Sequence, residues 1–362
     1  MYTKIHYKAA FIDQYYEILK LGTFTKDVDR DNRHVALWLF IVCGFVFVMI
    51  VVGGVTRLTE SGLSMVNWQP ISGIVPPLND ADWTAEFEAY KEFPEYQKVN
   101  MGMSLDEFKN IFFWEYSHRL LGRLIGLVFA LPFFIFLMRK KIKRALKPHL
   151  WLMLILGGAQ GLLGWYMVKS GLVDRLDVSH YRLTAHLGLA FIIYIYMFKV
   201  ALGLILPTSS SAKGRPVGLT RVYVNLLFLQ ILLGGLVAGL NAGLVSDTWP
   251  LMMGQVIPDG LFYNEPWYMN MLDNPLTIHF EHRLMAYIVT IIAVGLWWKM
   301  HSDSSATVCH AAYLVLLSVI VQIILGVLTI INMVPIQLAV AHQAGAVVTL
   351  SAGLYLLNRV KV

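Results

Sequence analysis

Hydrophobic positions along this chain fall in long blocks, neither alternating as in a half-buried strand nor striped as on a surface helix. A helix needs about 20 apolar residues to cross roughly 30 Å of hydrocarbon. Eight segments reach or approach that length: Val35–Val55, Leu120–Met138, Leu150–Val168, Leu183–Leu206, Val222–Leu240, Leu284–Trp298, Ala311–Met333 and Pro335–Leu357. The second and sixth are short, but helix-compatible stretches, Ile111–Arg119 and Leu276–Arg283, precede them. The pattern predicts an all-α integral membrane protein with eight transmembrane helices. Composition agrees, with 57% hydrophobic and 14% charged residues among 362, against about 45–50% and about 25% in soluble domains. Two cysteines, Cys43 and Cys309, exclude a disulfide framework. The first apolar run follows a long polar segment and lacks a small-residue cleavage site, which argues against a secretory signal peptide.

A net charge of +6 raises the question of a nucleic-acid partner, and the placement of the charges answers it. Nineteen of the 29 Lys and Arg residues lie in the N-terminal 33 residues, between spans two and three, between spans four and five, after span six, or at the C-terminus. Seven lie on the opposite side, and Arg119, Arg123 and Arg283 sit at helix entrances. The positive-inside rule then places both termini in the cytoplasm. The basic balance records orientation and contact with anionic lipid, with no nucleic-acid partner.

The sequence repeats itself. Gly53-Gly54, Gly62-Leu63, Trp68, Gly73 and Pro77 match Gly234-Gly235, Gly243-Leu244, Trp249, Gly254 and Pro258 at a constant offset of 181. His118-Arg119-Leu120 matches His282-Arg283-Leu284 at 164, Gln160 and Gly164 match Gln322 and Gly326 at 162, and Ala185-His186 matches Ala341-His342 at 156. Four spans per half make these parallel repeats. The expected organisation is a cytoplasmic tail (1–34), an N-terminal four-helix bundle (35–206) with a large outer loop (56–110), a cytoplasmic linker (207–221) and a C-terminal four-helix bundle (222–362). The outer loop is expected to cover the mouth of the first bundle.

Among eleven histidines, His118, His186, His282 and His342 occupy repeat-equivalent positions near the outer ends of even-numbered spans. A single histidine at a helix end is ordinarily interfacial or hydrogen-bonded in the core. A duplicated pair at matched depth inside a membrane marks a site. Two facing imidazoles without a thiolate suit axial ligation of haem iron, whereas zinc asks for three or four ligands. His180, in an outer loop, is left undecided.

The halves differ beside the first histidine of each pair. Glu115 precedes His118 by three residues, and His279 holds the matching place before His282. Residues three apart share a helix face, so Glu115 is a candidate proton acceptor. The plain alternative is an i,i+4 pair with Arg119. Arg119 and Arg283, with Arg182, are candidates for haem propionates, since guanidinium suits carboxylates, or for snorkelling to headgroups. The glycine pairs, with Gly157-Gly158, permit close helix approach or leave room for a flat macrocycle.

Glu115-Tyr116-Ser117-His118-Arg119, Thr184-Ala185-His186, Phe280-Glu281-His282-Arg283, Ala341-His342-Gln343 and the run from Gly53 to Trp68 together resemble the motifs of the haem A synthase family. The resemblance extends from about Val35 to the C-terminus. It implies two pseudo-symmetric four-helix halves, with haem O between His118 and His186 and a b-type haem between His282 and His342. It further implies Glu115 as the catalytic glutamate and oxidation of the C8 methyl of haem O to the formyl of haem A through the alcohol haem I. The outer loop Thr56–Asn110 contains no Cys, so the chain is similar to the proteobacterial and mitochondrial branch, without electron input through a loop disulfide. The family also implies a bacterial inner-membrane location and, as neighbours, haem O synthase (a membrane farnesyltransferase) and oxidase assembly factors; a homo-oligomer is compatible with it. Two rival readings are a dihaem cytochrome that only carries electrons and a repeat-built transporter. The first does not use the Glu115/His279 asymmetry. The second calls for helices broken near the midplane, where Pro132 is the only proline well inside a span.

Overall fold

The computed structural model describes residues 29–66, 72–174, 178–206 and 214–361. Most of the tail assigned to 1–34 lies outside them, as do Trp68 and residues 207–213 of the linker. Eight helices are long and apolar enough to cross a membrane: α1 (Arg30–Leu58), α2 (Leu105–Met138), α3 (Lys147–Asp174), α4 (His180–Ile205), α5 (Val217–Gly239), α6 (Pro275–Met300), α7 (Ala306–Ile331) and α8 (Ile336–Val360). No strand occurs among the described residues.

Helix starts are written in the sequence. Asn274 caps α6 by accepting from the backbone of Leu276 at 3.0 Å, and Pro275 supplies the first helical residue. Ser104 and Glu107 form a reciprocal capping box at the start of α2. That box begins α2 fifteen residues before the apolar span Leu120–Met138. The charged turn Asp106–Lys109 is therefore helix rather than loop. Two short helices, Asp80–Lys91 and Pro94–Lys98, pack on this extension and on α3 respectively.

Each helix of the second set has the neighbours of its counterpart. In the first, α1 touches α2 and α4, and α3 touches α4; in the second, α5 touches α6 and α8, and α7 touches α8. The sets meet through α4 against α5, α8 against α1, and α4 against α8. Polar contacts bind this seam, as expected where lipid removes most of the hydrophobic drive. Gln343 Nε2 donates to the carbonyl of Ile50 at 2.8 Å, and the hydroxyls of Tyr194 and Ser351 lie 2.8 Å apart. Gly54 makes room for Gln343, and Gly235 for Thr184 and Leu187. Leu187 and Gln343 are themselves repeat-equivalent.

The buried apolar core runs through all eight helices but fills only one end of them, from Leu39 and Phe133 through Met197 and Tyr223 to Leu296 and Leu354. On α2, α4, α6 and α8 its first buried members are Phe129, Phe191, Val289 and Val347. Each repeat-matched histidine lies on the loop side of that point on its own helix. Exposed Leu131, Leu162, Ile291 and Leu317 form apolar outer faces suited to lipid.

At the core's end of the helices, away from the four histidines, Arg215 grips Asp303 with two bonds, Nε to Oδ2 at 3.2 Å and Nη2 to Oδ1 at 3.1 Å, and reaches the Arg359 carbonyl at 3.4 Å. Burial opposes ionisation of Asp303, but the bonds from Arg215 and from the Ser305 amide outweigh it and hold its carboxyl below the usual range. A carboxyl lowered on folding stabilises above its unfolded pKa of about 4, and that contribution is lost as pH falls through the folded value. Asp303→Asn is expected to cost about 1 kcal/mol at pH 7. Its Tm deficit should shrink toward pH 3, and a pH-independent deficit would assign the loss to packing.

Candidate functional site

The four repeat-matched histidines each rest against a glycine of a neighbouring helix. A Cβ on Gly53 of α1 would lie 3.1 Å from Cε1 of His118, and one on Gly234 of α5 would lie 3.2 Å from Cε1 of His282. On Gly164 of α3 and Gly326 of α7 it would lie 2.9 Å from Cε1 of His186 and His342. The same seat is thus used four times at repeat-equivalent positions. Gly326→Ala forces the His342 ring to shift. Overpacking of this kind costs about 1–3 kcal/mol, so the purified variant should melt lower; an unchanged Tm would show the ring to be loosely held.

The rings of His282 and His342 face each other with centroids 6.4 Å apart and planes at 74°. Two imidazoles that take one metal from opposite sides, each nitrogen at about 2 Å, place their centroids roughly 6 Å apart. His118, His186 and His342 each bury Nδ1 without a hydrogen-bond partner, an uncommon and costly state that asks for an explanation. No group of three His, Cys, Asp or Glu residues converges among the described residues. Paired imidazoles without thiolate, set beyond the packed core, fit a haem iron.

Glutamines hold three of these histidines. The amide nitrogens of Gln160, Gln322 and Gln230 donate to the carbonyls of His186 at 3.0 Å, His342 at 2.7 Å and His282 at 3.0 Å. Gln160 and Gln322 stand out in the sequence as repeat matches, but nothing there assigns them a role. Gln230 is missed altogether, because its counterpart is Met49 at the 181 offset.

Glu115 is buried, and the i,i+4 pair with Arg119 is made. Ser64 Oγ and the Met65 amide also donate to its Oε2, at 2.8 and 2.6 Å. Arg119 reaches further, to the Met65 carbonyl at 2.9 Å. Arg283 repeats this arrangement. Its Nη2 donates to the carbonyl of Ser246, the counterpart of Met65, at 3.3 Å, its Nη1 to Thr248 at 2.9 Å, and its Nε to His279 Nε2 at 3.0 Å. Val245 stands where the first half has Ser64. The asymmetry read at one position is therefore a paired change, Ser64 with Glu115 against Val245 with His279.

The segment that carries Ser64 and Met65 is buttressed by an aromatic cluster of Phe87, Tyr90, Phe108 and Phe112, against which Met65, Val66 and Tyr116 pack. Tyr116 donates to the Ile74 carbonyl at 2.6 Å. Burial raises the Glu86 carboxyl above its ordinary value against the pull of Arg119. Burial likewise raises the Tyr90 phenol, which receives a bond from Asn100 at 2.8 Å. The remaining candidates lie apart: Arg182 stands 4.9 Å over the Tyr166 ring, and His180 Nε2 sits 3.0 Å from Asp273 Oδ1.

Comparison with known proteins gives this geometry a family. Residues 36–354 match the cytochrome oxidase assembly protein family. A haem A synthase of Nitrosospira multiformis is 50% identical over 347 residues, covering 94% of this chain and 98% of its own. Those of Nitrosomonas eutropha and Parvibaculum lavamentivorans are 49% and 45% identical over 91% of this chain, covering 94% and 95% of their own length. With eight apolar helices, two histidine pairs on glycine seats and relatives this similar over nearly their whole length, the chain belongs to the haem A synthase family.

Proposed function

We propose that the chain makes haem A by oxidising the C8 methyl of haem O to a formyl group, with the alcohol haem I on the way. The observation that carries this reading is the environment of Glu115. One half alone places a carboxylate a helical turn from a repeat-matched histidine, with Ser64, Met65 and Arg119 fixing both oxygens. An electron carrier with two equal sites has no use for that difference.

In this reading the halves are 35–206 and 222–362. His118 and His186 take the substrate haem O. His282 and His342 hold a resident b-type haem, which supplies one-electron transfer when bound. Glu115 accepts a proton as the methyl is oxidised, and a positioned base of this kind is worth about 10²–10⁴ in rate. Ser64 and the Met65 amide orient its carboxylate, and Arg119 ties it to the covering loop. We assign Arg119 and Arg283, each next to a repeat-matched histidine in sequence, to the porphyrin propionates as well. The aromatic cluster over Met65 keeps water from the carboxylate. Charge placement supports termini on the cytoplasmic side of the bacterial inner membrane, with the histidines toward the outer side. Haem O synthase would supply the substrate of this activity, and oxidase assembly factors are the neighbours the family resemblance implies.

Membranes containing the chain and supplied with haem O are expected to accumulate haem I and then haem A, identified by mass after extraction. Haem O left unchanged while the protein shows its haem spectra would instead favour an electron carrier.

A further inference from the structure

Two differences between the repeat halves gather around His118. The first is a missing clamp. Gln230, one turn before Gly234 on α5, donates to the His282 carbonyl and stands 3.2 Å from both ring nitrogens. Its counterpart Met49 donates nothing; its methyl lies 3.5 Å from where Gly122, one turn along α2 from His118, would carry a Cβ. Among the described residues no side chain donates to the His118 carbonyl, in contrast to the bonds made to His186, His282 and His342.

The second difference is unfilled space. Gly157, Gly158 and Gly161 of α3 stand where α7 carries Val319, Ile320 and Ile323. A Cβ on any of the three would meet nothing within 4 Å. Gly158, Gly161, Leu162 and Trp165, all of α3, line an open groove of about 490 Å³ on the exposed face of that helix. Val319, by contrast, is buried in the main core, and Ile323 packs against it. In keeping with this, α6 packs along α7, whereas α2 meets α3 only sparsely. The buried share of the most apolar windows is 11% and 6% for α2 and α3, against 28% and 17% for α6 and α7.

We infer that the half carrying His118 exchanges its porphyrin sideways between α2 and α3, where the two helices touch least, with the unclamped His118 as the ligand that lets go, while the half carrying His282 and His342 keeps its own. This rests on the two-haem reading above and adds to it a route of exchange and the ligand that releases the porphyrin. The ligand class is an iron porphyrin that enters from the apolar side, which suits the glycine-lined face of α3. The clamps act by fixing helix backbone at the ligand. With Met49 in that place, a shift of α2 at His118 breaks no side-chain bond to the His118 carbonyl, whereas the same shift of α6 would break the Gln230 bond to His282.

The test uses the purified full chain carrying both porphyrins, mixed with excess apomyoglobin as acceptor, with the porphyrins still bound extracted and separated over time. Haem O or haem A should leave at least about fivefold faster than haem b, the factor that one net hydrogen bond supplies. Met49→Gln should slow the fast loss by a similar factor. Gly161→Ile, which copies the filled counterpart, should slow it too, and Gln230→Met should speed the loss of haem b. Equal loss rates for the two porphyrins, or a fast rate that neither Met49→Gln nor Gly161→Ile alters, overturns the inference. Failure of the two-haem reading looks different: the protein would then carry no second porphyrin to lose, and both proposals would fall together.

Discussion

Glu115→Gln is expected to lower haem A formation by about 10²–10⁴ while both bound porphyrins and their spectra persist. The substitution keeps the side chain's size and one acceptor oxygen. Ser64 and the Met65 amide both donate to Oε2, at 2.8 and 2.6 Å, so the amide oxygen of the variant turns toward them. Its NH₂ then faces Arg119, donor against donor, in a site where the glutamate side chain is 4% exposed and the arginine's 11%. Removing one partner of a buried pair costs up to about 3–5 kcal/mol, so a lower Tm is expected beside the lost activity. Ser64→Ala separates the two effects. It removes a donor to the carboxylate but leaves the proton acceptor, and should reduce the rate far less than Glu115→Gln does. Mass analysis of extracted haems reads both variants, and full haem A production by Glu115→Gln would remove the role given to this residue.

His282→Ala and His342→Ala are each expected to abolish the low-spin b-type spectrum of the purified protein. The two rings stand 6.4 Å apart and are held from behind by Gly234, Gly326, Gln230 and Gln322. Removal of either would leave the haem iron with a single protein ligand, since no third ligating side chain converges there among the described residues. His118→Ala should leave that spectrum in place and remove only the porphyrin of the first half. Survival of the b-type spectrum in both second-half variants would refute the ligand assignment.

Much of this was legible in the sequence, for reasons that differ by feature. The helices follow from apolar runs, and the matching of His118 with His282 and of His186 with His342 follows from the repeat, at offsets of 164 and 156. The length of α2 was hidden because Asp106, Glu107 and Lys109 look like loop, whereas a capping box and the aromatic face from Phe108 to Phe112 make them helix. The glycine pairs announced close approach but not to what. Gly53 and Gly234 seat imidazole rings, while Gly54 and Gly235 admit side chains across the seam. The partners of Glu115 escape any periodicity argument, because Ser64 and Met65 lie in irregular backbone brought over the helix by tertiary packing. Only the repeat offers a signal there, since Ser64 and Val245 change together with Glu115 and His279. Met49 and Gln230 carry the same kind of signal.

The central claim is that two histidine pairs hold two chemically different porphyrins. It is tested most directly by extracting the purified protein, supplied with haem O during expression, and identifying its porphyrins by mass and ratio. One b-type haem per chain together with haem O, I or A in the other site is predicted, with only the b-type lost in His282→Ala and only the other lost in His118→Ala. A protein that carries haem b alone, or that loses both porphyrins together in each variant, would contradict the account.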